Sequence, residues 1–233
     1  MYARPERATQ SSEKTYVIGF PASCARGLGK ADSMAREIGV NGLGHPGDVN
    51  RAAVPNERVR LDGKFFRLGD EKFWVKGVTY GPFEPREDGA FLPPADRLRA
   101  DLAQIASLGA NTIRVYHVPP RELLDLAHEF GIKVFVDVPW SKHRCFLESR
   151  EDLESGRRAV REAARACKGH PALLALSVVN EVPADVVRWL GREKVETFID
   201  ELVASAREED PEVLVTFASF PPTEYLHPTT VDF

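Results

Sequence analysis

The chain has 233 residues and a formal net charge of −4 at pH 7. That length accommodates one large domain or two small ones, and so small a charge argues against nucleic acid as a partner. The three cysteines, Cys24, Cys145 and Cys167, are odd in number and far apart, which argues against a disulfide framework and for a reducing compartment. No apolar run approaches the roughly 20 residues that span a bilayer, and Met1–Lys14 lacks the apolar core of a secretory signal, so the expected compartment is the cytoplasm.

Residues 1–56 read as a linker or disordered leader, with scattered glycines and prolines and one short apolar cluster, Tyr16–Phe20. Gly27-Leu28-Gly29-Lys30 invites a phosphate-loop reading. Cys24 stands where that motif needs its first glycine, however, and Ala31 where it needs a metal-holding hydroxyl. An ordered domain is expected over 57–233. Phe65–Leu68 and Lys72–Val75 flank Gly69-Asp70-Glu71, a hairpin signal, and the second arm runs on through Tyr80 as a first strand of a larger sheet.

From there strand and helix patterns alternate. Leu98, Leu102, Ile105 and Leu108 predict a helix over 96–108, closed by Gly109. Thr112–Tyr116 is the next strand, ending at His117 and the Pro119-Pro120 break; a helix with Leu123, Leu124, Ala127 and Phe130 on one face follows. Lys133–Val138 is a third strand, ending at Pro139-Trp140, and about 157–167 is a third helix. Ala172–Val179 is a near-continuous apolar run, suited to a parallel strand buried on both faces; it ends in Asn180, Glu181 and Pro183. A long helix over about 186–206, a strand at Val213–Phe217 and the start of a sixth strand at Val231–Phe233 complete the pattern.

This rhythm specifies a parallel α/β sheet with right-handed crossovers. A doubly wound open sheet is the alternative. The first strand has no glycine-rich phosphate fingerprint after it, and Tyr80, His117, Trp140 and Glu181 fall at the carboxyl ends of successive strands, which favours a barrel. A (β/α)8 barrel takes about 250 residues, and five units and a fragment fit here. The fold class is therefore a partial (β/α)8 barrel preceded by a β-hairpin.

Two positions carry the chemistry. A carboxyl at the rim of a barrel, such as Glu181, can have its pKa raised by burial and serve as a general acid, while the adjacent Asn180 can hydrogen-bond a sugar hydroxyl. The bland alternative is a polar loop before a helix. Arg114 interrupts an apolar strand on the same face as Thr112 and Tyr116; it either orients a catalytic carboxylate or makes a structural ion pair, for instance with Asp137. His117 and Trp140 are candidate substrate contacts, Trp140 as a stacking platform or as packing beneath a loop. His143-Arg144-Cys145 lacks a second ligand pair at zinc spacing, so no metal is expected.

Together Lys76-Gly77-Val78, Asn111-Thr112-Ile113-Arg114 with His117 and Pro119, and His170-Pro171 leading to Asn180-Glu181 resemble the clan A retaining glycoside hydrolases, most closely the barrel of glycoside hydrolase family 2. The resemblance implies Glu181 as acid/base, Asn180 as a contact to the sugar 2-hydroxyl, Arg114 beside the nucleophile and His117 lining the sugar site; Trp140 and Tyr80 are further candidate substrate contacts from their strand-end positions, and no cofactor is expected. Tyr116–Pro120 and Pro221–Leu226 also resemble bacterial barrels fused to a glycosyltransferase domain, and the Thr-Ile-Arg-Val-Tyr phrase resembles β-1,3-glucan transglycosylases. In that family the nucleophile is a glutamate after the seventh strand, so the chain is expected to be a truncated piece of a larger enzyme, inactive alone. The competing expectation is a non-catalytic half-barrel that binds glycan or self-associates through open strand edges.

Overall fold

A computed structural model describes residues 56–233; the expected leader and the Gly27–Lys30 stretch lie outside the described residues. The ordered part begins with three short antiparallel strands, β1 (Arg60–Asp62), β2 (Phe65–Leu68) and β3 (Glu71–Lys72). The turns between them are carried by Gly63 and Gly69, both at φ 59°, a conformation open to residues without a Cβ. β1 was not anticipated: three residues with a single half-buried leucine give no periodic signal.

Five parallel strands follow: β4 (Gly77–Thr79), β5 (Thr112–Val115), β6 (Lys133–Asp137), β7 (Leu173–Asn180) and β8 (Val215–Ala218). They lie side by side in chain order. A doubly wound sheet reverses its strand order partway, and this one never does, so the arrangement is the arc of a partial (β/α)8 barrel. The crossovers are α1 (Ala95–Ser107), α2 (Arg121–Glu129), α3 (Arg150–Cys167), and the pair α4 (Ala184–Leu190) and α5 (Arg192–Glu209).

Two helices differ from their expected extents. α3 starts about two turns earlier than its apolar stripe suggests, because Ser149 caps it by accepting from the Asp152 amide at 3.1 Å. The expected single helix after β7 is two, broken at Gly191, whose φ of 91° no helix admits. Its apolar stripe continues across the break, which hid it.

The outer face of the arc is the main core. Ile113, Val115, Val134, Val136, Leu173 and Leu176 are completely buried against the helices, each contributing about 1.5–3 kcal/mol. The inner face has its own small cluster, in which Val59, Leu174 and Ala175 are buried with Phe66, Leu68, Phe73, Phe135 and Leu214 packed on them. The hairpin thus plugs the amino-terminal end of the arc. Lys133, 2% exposed, donates from Nζ to the carbonyls of Glu57 (3.0 Å) and Pro171 (2.7 Å), and burial lowers its pKa to about 8. At the far edge the Asp232 amide donates to Val215 O at 2.8 Å and its carboxylate accepts from the Val215 amide at 2.7 Å, so the expected start of a sixth strand lies against β8.

Candidate active site

Three strands place three polar side chains together at the inner face. Arg114 pairs in register with Phe135 of β6, Asp137 with Ser177 of β7, and Asn180 with Ala218 of β8. Period-two alternation turns Arg114 inward while Ile113 and Val115 face the helices. Its Nε donates to Asp137 Oδ2 at 2.5 Å and its Nη2 to Asn180 Oδ1 at 3.1 Å. The guanidinium also lies 5.0 Å from the Tyr116 ring and 5.5 Å from that of Phe135. Burial opposes its charge, but the hydrogen bond and attraction of Asp137 outweigh this, with help from Tyr116 and Glu181, and raise its pKa.

The ion pair anticipated as an alternative for Arg114 is therefore present, and Asp137 is only 2% exposed. It also has a consequence beyond packing. With Oδ1 turned to Arg114, the Asn180 amide group presents its N–H donors away from the guanidinium.

Glu181 follows directly. Its amide donates to Ala218 O at 2.9 Å, extending the β7–β8 ladder by one bond, while its φ of 57° makes it the only non-glycine with positive φ among the described residues. A left-handed residue with a Cβ costs roughly 1–2 kcal/mol. Such local strain clusters at functional positions. The side chain is exposed, and the next residue, Val182, is buried. The backbone reversal at Glu181 thus separates a solvent-facing carboxylate from the core immediately after it.

The other expected site residues lie elsewhere. Tyr80 does not look into the bowl. It is 6% exposed, donates to Asp101 Oδ2 of α1 at 3.0 Å and packs on Phe83; burial and the Asp101 hydrogen bond raise its pKa. The strand ends at Thr79, and alternation past its end does not fix direction.

Trp140 stacks edge-on against Phe146 and Phe198, with ring centroids 5.1 and 5.8 Å away, and gives its indole N–H to Val178 O at 2.7 Å. That is packing under a loop, the second of its two readings. His117 lies beneath Phe91 (centroids 6.0 Å apart), where both ring nitrogens are buried without a hydrogen-bond partner among the described residues. It lines a pocket of about 680 Å3 with Arg86, Asp88, Phe91 and Glu122. The sequence reading missed this pocket, whose only sequence trace is the acidic Glu84–Asp88 stretch.

Parallel strands in an arc, with a guanidinium, an amide and a carboxylate at their carboxyl ends, are the makings of a TIM-barrel hydrolase site. Residues 59–233 match the model of the TIM barrel domain of glycosyl hydrolases family 2, and the chain belongs to that family. A 1,3-beta-glucanosyltransferase, gel1 of Aspergillus fumigatus, is 33% identical over 89 residues, which are 36% of this chain and 20% of that protein.

Among solved structures, the β-glucuronidase of Parabacteroides merdae superposes with a TM-score of 0.59 at 21% identity, over 72% of this chain and 21% of that one. β-Glucuronidase 2 of Bacteroides uniformis gives 0.55 at 19% identity, over 68% and 20%. The endo-1,4-β-mannanase of Rhizomucor miehei gives 0.55 at 12% identity, over 70% and 61%. At these identities the superpositions establish the fold alone. The chain spans about a fifth of the length of the glucanosyltransferase and of these glucuronidases.

Proposed function

We propose that this domain supplies the acid/base half of a retaining β-glycoside hydrolase or transglycosidase acting on polysaccharide. Glu181 is the general acid/base, Asn180 holds a sugar hydroxyl, and Arg114, itself bonded to Asp137, fixes Asn180. The observation that carries the reading is the convergence of Arg114, Asp137 and Asn180 beside a carboxylate in a strained backbone conformation. A retaining mechanism needs a second carboxyl about 5–5.5 Å from the first, one protonating the leaving oxygen while the other attacks the anomeric carbon. Asp137 is committed to Arg114, so the nucleophile comes from a further strand of the completed barrel. A fused glycosyltransferase domain would make the product a growing or trimmed surface polysaccharide.

The test is made in a polypeptide containing the completed barrel. Glu181→Ala should lower hydrolysis of aryl β-glycosides by about 100-fold or more, with partial rescue by azide. Unchanged activity would remove Glu181 from the mechanism. The 233-residue chain alone should show no turnover, and hydrolysis abolished by Glu181→Gln in that chain would overturn the claim that its nucleophile lies elsewhere.

A further inference from the structure

The three-stranded hairpin sheet has two faces of opposite character. Phe66, Leu68 and Phe73 pack on the inner cluster of the arc. Arg60 lies opposite Arg67, Arg67 opposite Lys72 and Asp62 opposite Phe65, so alternation puts these residues on the other face. That outer face also carries Trp74, which meets Phe65 edge to face with ring centroids 6.0 Å apart and is 62% exposed. Asn111 Nδ2 donates to the Trp74 carbonyl at 2.8 Å, which holds its backbone in place.

Cations surround the aromatic pair. Lys72 Nζ lies 3.9 Å from the Phe65 centroid and 5.9 Å from that of Trp74, and Lys64 Nζ lies 5.7 Å from Phe65. Neither lysine is in an ion pair among the described residues. The one carboxylate on this face, Asp62, is taken by Arg67 at 2.5 Å. Asp70 and Glu71 lie at the other end of the β2–β3 pair from Trp74. Arg60, Lys64, Arg67 and Lys72 thus stand against a single, occupied carboxylate, on a chain whose net charge is −4. The positive sign belongs to this face and not to the molecule.

We propose that this face binds a uronate-bearing polysaccharide, at the amino-terminal end of the arc and away from the Glu181 rim. A pyranose lays its apolar C–H face on the Trp74 ring, and carboxylates of that sugar and its neighbour meet Lys72 and Lys64. Single-stranded nucleic acid also combines stacking with cations, but membership of a glycosyl hydrolase family favours a saccharide. The proposal rests on the glycoside reading above and gives its polysaccharide a negative charge. The hairpin holds one part of the polymer while another reaches the catalytic rim.

The test uses cellotriose and its C6-oxidised counterpart, β-1,4-linked triglucuronate, titrated into the 233-residue chain at low salt and followed by NMR. The triglucuronate should shift the Trp74 indole and Phe65 ring signals and bind about tenfold more tightly than cellotriose. Salt at about 0.5 M should shrink that difference. The Lys64→Gln, Lys72→Gln double variant should erase it at low salt, and Trp74→Ala should abolish the Phe65 shift with either sugar.

Equal or tighter binding of cellotriose would overturn the preference for a uronate. Absence of any shift at Trp74 and Phe65, or shifts confined to the Arg114 side, would overturn the site. An oligothymidylate of equal charge binding the same face more tightly than the triglucuronate would make it a nucleic-acid surface and overturn the saccharide assignment. A silent hairpin with the Glu181→Ala effect intact would leave the catalytic reading standing. An inert Glu181→Ala with the Trp74 shifts intact would leave a glycan-binding domain.

Discussion

At the residue scale, the site depends on one charge network. Removing a carboxylate from a buried pair leaves the guanidinium uncompensated, which costs more than the pair itself contributes. Asp137→Asn should therefore lower stability by about 2 kcal/mol, the discount reflecting a partly exposed Arg114, and urea unfolding would measure it. An unchanged midpoint would mean that Arg114 is solvated well enough to stand alone. Glu181 should show the opposite trade. Glu181→Gly relieves a left-handed residue but loosens the unfolded chain, for a net gain of about 0.5 kcal/mol, whereas Glu181→Gln should gain nothing. A glycine variant no more stable than the glutamine variant would show that no strain is held there.

Arg114 and Glu181 were legible in the sequence because each breaks an apolar strand pattern at a place where charge is otherwise costly. Tyr80 and Trp140 were misplaced for a common reason: both lie past the last ladder residue of a strand, where period two no longer tells direction. The Glu181 backbone conformation left no trace in residue type, since nothing about a glutamate announces a positive φ.

At the element scale, the turn between α3 and β7 is built on a neutral histidine. His170, 2% exposed, accepts the Ala172 amide on Nδ1 at 3.0 Å and sits 3.0 Å from Asp125 Oδ1 through Nε2, which fixes the Nε2–H tautomer. Burial first, then Arg121 and His128, lower its pKa against the pull of Asp125. The sign follows directly. Below the ordinary value of about 6.5 the unfolded chain binds a proton that the folded chain refuses, so stability falls as pH drops from there through the lowered folded pKa. His117 acts in the same direction. The urea midpoint should therefore decline between about pH 7 and pH 5, and less steeply in His170→Asn, whose side-chain oxygen can still accept the Ala172 amide. Parallel slopes in the two proteins would exonerate His170. The elements themselves were largely readable from periodicity; their interruptions were not. The break at Gly191 depends on a single dihedral, and β1 forms because β2 offers it a partner.

At the scale of the whole molecule, the arc has one open edge among the described residues, at β4, while Asp232 lies against β8 at the other. β4 is exposed along its length, and Trp74, Val75 and Val78 beside and within it are exposed as well. Unpaired backbone groups next to apolar side chains invite another strand. The chain should self-associate at micromolar to millimolar concentration, and Val78→Lys should shift it toward monomer by size-exclusion chromatography and light scattering. A strictly monomeric wild-type chain would show that the edge is protected. The barrel class was readable from the order of strand and helix patterns. The pocket beneath Phe91 was not, because it joins a loop and a helix start separated by some thirty residues whose contact no periodicity encodes.

The hairpin that plugs the arc has a mechanical consequence. It is tied to α5's end by Arg58 and Asp210 at 2.8 Å, to β6 through Lys133 and Glu57, and to the residues beside β8 by the Phe66–Phe233 edge contact at 4.9 Å. It runs across the curved sheet as a string runs across a bow. The bend of the five strands is held by the chain's own ties, so a segment that completed the cylinder would meet a cradle already curved, and none of its binding free energy would go into bending it.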